Sequence, residues 1–278
     1  MNKNLRLLAL AVVALALLSS AGCDKLRARD QINKGVEAFK NSRFEEAADH
    51  FQKAAALDPA LINAHMYLAG AYQAQFVPGA DTPENNRIAE QAIEQYQKVL
   101  DAKPGREQKV TAAKGIAGLY FQLLKFDDSK KYHRIVSELD PNDAEPYYSI
   151  GVMDWTASYK PRMEERAKLG LKPEENLNPK SKDQKKLCDE LREKSMPTVQ
   201  DGMDNLKKAL EIRPDYDDAM AYMNLMYREK ADLECDDLPG RAEDLKTADH
   251  WQDETLRVRK LKAEKQPAAG GVVQDQAK

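Results

Sequence analysis

Between Gly35 and Pro59 the chain reads GVEAFKNSRFEEAADHFQKAAALDP, in which small, large apolar and charged residues each recur at helical spacing. Gly35, Ala47 and Ala54 are the points where two helices can approach closely. Phe39, Phe44, Phe51 and Leu57 fill the space that remains. Asp58-Pro59 ends the second helix, because proline has no amide donor. A helix is expected again from Ile62, then a break from Phe76 to Pro83, where two prolines and a glycine forbid continuous helix, and a further helix over about Pro83 to Asp101. An uninterrupted helix pair runs from Val110 to Asp143. Another opens at EPYYSIGVMDW and is interrupted by about 39 residues, from Thr156 to Ser195. Inside that interruption Pro161 to Leu169 reads as a short helix closed by Gly170, and Ser181-Lys182-Asp183-Gln184 as a capping box opening a second. Pro197 begins or kinks the closing helix, which ends near Arg213. A helix at Ala219 and one from Arg241 to Glu264 flank an acidic loop, Asp232 to Gly240.

This pattern resembles the tetratricopeptide repeat (TPR), a helix-turn-helix unit of 34 residues marked by a small residue in its first helix and Ala, aromatic, Ala, Pro in its second. Prolines 59, 104, 141 and 214 are spaced 45, 37 and 73 apart, each at least one repeat length. Placing each at the end of a repeat aligns the small positions as Gly35/Ala47/Ala54, Ala69/Ala92/Val99, Ala117/Ser129/Val136 and Gly151/Gly202/Ala209. A fifth unit from Ala219 has Ala248 in its second helix but Gln252 and Thr255 where apolar or small residues belong, which suits a terminal capping helix. The resemblance implies an all-α fold, a right-handed α-solenoid of about five helix pairs with insertions in repeats 2 and 4. It also implies a concave groove lined by the first helices. Carried over residue by residue, the groove positions are Ile32, Val36 and Phe39, then Met66 and Tyr67, Phe121, Tyr148, Val152 and Trp155, and Met220, Met223 and Tyr227. An apolar, aromatic groove suits an extended protein or peptide segment. TPR domains that clamp a terminal carboxylate use Lys, Asn and Arg, whereas Ile32, Val36, Tyr67, Thr111 and Gly115 stand at those places here.

The N-terminus changes where such a scaffold would work. Lys3 and Arg6 precede an apolar run from Leu7 to Leu18. As a helix the run spans roughly 18 Å, short of a bilayer core of about 30 Å, so residues 1–22 read as a signal peptide. Ser20-Ala21-Gly22-Cys23 resembles the bacterial lipobox, which implies acylation of Cys23 and a short tether, residues 23–30, ahead of repeats spanning 31–264. This resembles the TPR lipoproteins of the bacterial envelope, facing the periplasm, and leaves inner or outer membrane undecided. Residues 265–278 lack an apolar pattern and are expected to be a disordered tail. Net charge is −3, and loss of the leader leaves 41 basic against 46 acidic residues, so nothing steers the chain toward nucleic acid.

No phosphate-binding glycine loop, nucleophile turn, metalloprotease helix or Cys-x-x-Cys pair occurs, so no enzyme activity and no cofactor are expected. The four histidines read as packing or surface residues. A rival reading makes the chain an enzyme subunit or metal-binding protein using the 156–195 insertion and the acidic loop, where Asp232, Glu234, Asp236 and Glu243 fall at EF-hand-like spacing without the required glycine. The insertion carries eleven basic and eight acidic residues, a balance typical of a solvated surface. With Cys23 acylated, Cys188 and Cys235 remain, in the loops of repeats 4 and 5 on the oxidising side of the membrane. They either form a disulfide or sit as small buried thiols.

Overall fold

A computed structural model describes residues 23–265, apart from 173, 174, 176 and 179. The signal segment, the residues of the lipobox before Cys23, and the tail from 266 onward lie outside the described residues. Among the described residues every regular element is a helix. The chain divides into two compact units, Met1–Leu139 and Asp140–Lys278.

Unit 1 holds α1 (23–40), α2 (Phe44–Leu57), α3 (Ile62–Gln75), α4 (Pro83–Asp101), α5 (Arg106–Gln122) and α6 (Phe126–Leu139). From α2 onward each helix packs on the next. Close approach of α1 and α2 depends on Gly35, since a Cβ there would stand 2.5 Å from the Phe51 ring. The small positions aligned by the prolines, Ala47, Ala54, Ala69, Ala92, Val99, Ala117, Ser129 and Val136, are all fully buried. Ser129 keeps its hydroxyl satisfied by donating to the Ala117 carbonyl at 2.8 Å. α1 already begins at residue 23, so the segment read as a tether is part of the first helix. Its eight residues rise roughly 12 Å, where an extended segment would span about 26–29 Å.

The loop before α4 is organised by Asn85, which is buried and bonds Val77 through both backbone groups, each at 2.8 Å, and the Ala80 carbonyl at 2.8 Å. Thr82 caps α4 by accepting from the Asn85 amide at 3.2 Å, with Pro83 in the first turn where its missing donor costs nothing.

Unit 2 holds α7 (Glu145–Lys168), α8 (Lys182–Ile212), α9 (Asp217–Leu233) and α10 (Leu238–Lys265). Here the structure corrects the expected insertion. The residues 156–195 build no separate pair of short helices, because α7 runs on through Pro161 and α8 through Pro197, lengthening both helices of repeat 4 to 24 and 31 residues. Each proline forfeits one helical hydrogen bond, which packing of α7 against α8 and of both against α9 outweighs. Gly151 and Gly202 are buried at that contact, and a Cβ on Gly151 would stand 2.5 Å from Leu206. α10 starts at Leu238, three residues before Arg241, with Pro239 in its first turn. Thr255, expected on the outer face, is buried and bonds the Trp251 carbonyl at 2.8 Å.

Candidate partner-binding surface

Continuity of α7 places Tyr148, Val152, Trp155 and Tyr159 on one face, at helical offsets of 0, 4, 7 and 11. Trp155 and Tyr159 stack with centroids 4.8 Å apart. Tyr222 of α9 meets Tyr148 and Trp155 edge-on, each at 5.7 Å, and Tyr148 also lies 4.8 Å from Tyr216. Tyr216 is the fixed end of this row. Its hydroxyl donates to Glu145 Oε2 at 2.7 Å and the Arg213 guanidinium lies 4.1 Å from its ring. Burial pushes the Tyr148 phenol up to about 12, with Tyr222 and the carboxylates of Asp218 and Glu145 adding to the shift. Burial and then the bond to Glu145 push Tyr216 up further still. Tyr148, Trp155 and Tyr222 are half-buried and Tyr159 is 37% exposed, so the row presents ring edges and faces to solvent.

Other groove expectations need correction. Val152, Met220 and Met223 are buried, at 9%, 5% and 1% exposure. α7 and α9 pack side by side, and Met223 joins the core of Leu191, Met203 and Leu206. Tyr227 packs half-buried against the same core. In unit 1 the expected residues fall into separate contacts. Phe39 meets Phe44 at 5.1 Å, Tyr67 stacks on Phe51 at 5.3 Å, and Phe121 meets Phe126 at 5.9 Å. Ile32, Val36 and Met66 are half-buried, Val36 and Met66 against the cores. An open groove of about 670 Å³ between α2, α3 and α4 mixes Ala55, Ala56, Leu68 and Tyr72 with Gln52, Gln91, Glu94 and Lys98, and holds His65 between Gln95 Oε1 at 2.8 Å and the Pro59 carbonyl at 3.2 Å.

Sequence reasoning missed Tyr159, Tyr216 and Tyr222, which stand at none of the groove positions carried over. It also missed the support beneath the row. Arg162, one turn beyond Tyr159 and 5.5 Å from its ring, forms a buried forked pair with Glu229 through Nε at 2.9 and 3.0 Å and Nη2 at 2.7 Å. Ser158 donates to the same carboxylate at 2.7 Å. Arg162 Nη1 reaches Asp232 at 2.8 Å.

Crystal structures of MamA share this fold. One MamA structure matches at 14% identity with a TM-score of 0.56, covering 88% of this chain and 98% of that one. A MamA double mutant labelled RS-1 gives 14% and 0.55, over 86% of this chain and 97% of that one. MamA from Desulfovibrio magneticus RS-1, from residue 41 to its end, gives 14% and 0.53, over 87% of this chain and 98% of that one. MamA is a TPR protein. The chain has the TPR fold. No protein-family model matches the sequence, and comparison with curated proteins finds no match.

Within the TPR frame, the acidic loop of repeat 5 is a brace rather than a chelating loop. Asp232 pairs with Arg162 and, at 3.3 Å, with Arg241, while Asp236 pairs with Lys185. Asp237 accepts from the Gly240 amide at 2.9 Å and so caps α10. Glu234 lies 3.9 Å from Lys230. Among the described residues no three His, Cys, Asp or Glu side chains converge as a metal site. Cys188 and Cys235 are bonded, their Cα atoms 5.7 Å apart, linking the start of α8 to the α9–α10 connection. Cys23 is a free, exposed thiol at the start of α1.

Proposed function

We propose that this chain is a membrane-tethered, periplasm-facing TPR scaffold that binds an extended protein or peptide segment in the course of envelope assembly, secretion or pilus biogenesis. The observation that carries the reading is the aromatic row Tyr148, Trp155, Tyr159 and Tyr222, which offers partly exposed rings and no cationic clamp. A partner of matching chemistry presents apolar side chains from an extended backbone, with no requirement for a free C-terminal carboxylate. Support for the tether comes from the charged and apolar pattern before Cys23 and from the exposure of that thiol. Several acyl chains at about 0.8 kcal/mol per buried methylene hold such an anchor stably.

Selection of peptides from a random display library on the purified chain tests the binding reading. Truncating an aromatic anchor in such a surface removes about 2 kcal/mol or more, near thirtyfold in affinity. Selected peptides should therefore bind Trp155→Ala at least that much more weakly. Unchanged binding by Trp155→Ala and by Tyr222→Ala removes the reading. Metabolic labelling with a palmitate analogue tests the anchor, and Cys23→Ala should be unlabelled and soluble.

A further inference from the structure

Tyr222 stands nearly perpendicular to two rings of α7 at once, at 78° to Tyr148 and 80° to Trp155, while Trp155 and Tyr159 lie stacked at 17°. From Tyr148 to Trp155 the helix rises about 10.5 Å, and from Tyr148 to Tyr159 about 16.5 Å. The phenols of the row differ in what they bond. Tyr216 donates to Glu145, whereas the hydroxyls of Tyr148, Tyr159 and Tyr222 have no hydrogen-bond partner among the described residues. Those of Tyr148 and Tyr222 are not buried orphans, so they reach solvent. Charges around the row are already answered within the chain. Asp217 and Asp218 pair with Arg259 and Lys262, Arg162 pairs with Glu229 and Asp232, and Glu145 and Arg213, of opposite sign, both contact Tyr216. What the surface offers is a set of partly exposed rings, hydroxyl donors and no uncompensated charge.

We propose that the aromatic row binds an uncharged, proline-rich segment in the polyproline II conformation, an inference that rests on the partner reading and narrows it to one class of ligand. Pitch supports it. One turn of polyproline II rises about 9.3 Å, close to the rise from Tyr148 to Trp155, and at about 3.1 Å per residue some five residues cover the row. Hydrogen bonding supports it as well. A run of prolines carries carbonyl acceptors and no amide donors, so it meets the free phenols with the group they need. Segments of other residues would bring N–H groups against helices whose own mid-helix carbonyls are already bonded. The Tyr148 phenol, pushed up to about 12 by burial and the neighbouring carboxylates, remains a donor at neutral pH. Charge points the same way, because a segment rich in Lys or Glu would have to break one of the existing pairs to be answered, and a neutral one leaves them intact. Finally, polyproline II is formed before binding, so little ordering entropy is lost on a surface that offers few directional contacts.

Fluorescence anisotropy of a labelled decaproline peptide added to the full chain tests the inference. The matched probe is a decamer with alternate prolines replaced by glycine, which keeps length and charge but frees the backbone. Decaproline should bind saturably, and the glycine-interrupted peptide about tenfold more weakly. Trp155→Ala should weaken decaproline about thirtyfold. Tyr148→Phe/Tyr222→Phe keeps both rings and removes only the hydroxyls, and should weaken it about tenfold. Equal binding of the two peptides overturns the proposal, as does decaproline binding that neither Trp155→Ala nor the double phenylalanine variant changes. Display selection separates this inference from the partner reading. Selected peptides should be enriched in proline relative to the library. If they depend on Trp155 but carry no such enrichment, and decaproline does not bind, the polyproline inference falls and the partner reading stands; if no peptide of either kind binds, both fall.

Discussion

Removal of Arg162 tests the brace beneath the aromatic row. Arg162 and Glu229 are 4% and 1% exposed at their side chains, so neither can recover hydration when the other is lost. Arg162→Met keeps the aliphatic bulk but leaves the Glu229 carboxylate buried with Ser158 as its remaining hydrogen-bond donor. Breaking a buried pair in this way costs about 3–5 kcal/mol. At roughly 3 °C per kcal/mol for a unit of this size, the melting temperature should fall by about 10 °C or more. Glu229→Leu should cost less, about 2 kcal/mol, because Arg162 retains Asp232 at 2.8 Å. The double variant Arg162→Met/Glu229→Leu leaves neither charge stranded, and its loss should be clearly below the sum of the two. Urea unfolding followed by tryptophan emission reads unit 2 alone, because Trp155 and Trp251 both lie in Asp140–Lys278. A loss below 1 kcal/mol for Arg162→Met, or additivity within about 0.5 kcal/mol, would refute the brace.

Two further outcomes are expected. Protein lacking the leader and carrying Cys23→Ser should show no titratable thiol when denatured without reductant, and Cys188→Ser/Cys235→Ser should lose roughly 4 kcal/mol on the chain-entropy model for a separation of 47 residues; two free thiols per chain would exclude the bond. Burial raises the Tyr148 phenol from 10.0 to about 12, so the folded state holds a proton that the unfolded state releases. The stabilisation is complete below pH 10 and is lost as pH rises toward 12. Melting curves across that window should fall less steeply for Tyr148→Phe, and an unchanged slope counts against the buried phenol.

The helix pairs were legible because a repeat writes the same close contact several times. Gly35, Ala69, Ala117 and Gly151 each sit where a neighbouring helix comes near, and the prolines alone brought them into register. Non-local chemistry left no such trace. Arg162 and Glu229 are 67 residues apart, and nothing around either distinguishes it from the charged residues of the solvated faces. Pro161 misled for a physical reason, since local rules price one lost hydrogen bond and cannot see the packing of α8 and α9 that outweighs it. Val152 and Met223 misled in another way. Their repeat positions face the groove in the general pattern, but both are buried here, Met223 in a core shared with Leu191, Met203 and Leu206 of α8. Asn85 could have been suspected, as an amide just inside a helix after a Pro-Gly loop is well placed to bond that loop.

The long repeat joins recognition to stability. Ending α7 near Trp155, as a repeat without insertion would, removes Tyr159 and with it the stacked half of the row. Extending α7 through Pro161 adds that ring but carries Ser158, Arg162 and Arg166 into a buried setting. The extension is therefore tenable only if α9 supplies Glu229 and Asp232 opposite them, and the Cys188–Cys235 bond then holds the α9–α10 connection against the start of α8. Tyr159 lies over the Arg162 guanidinium, so the outermost ring of the row rests on the innermost charge of the brace. Loss of Arg162 should for that reason weaken peptide binding even at temperatures where unit 2 remains folded, whereas loss of a surface pair such as Lys208–Glu211 should not.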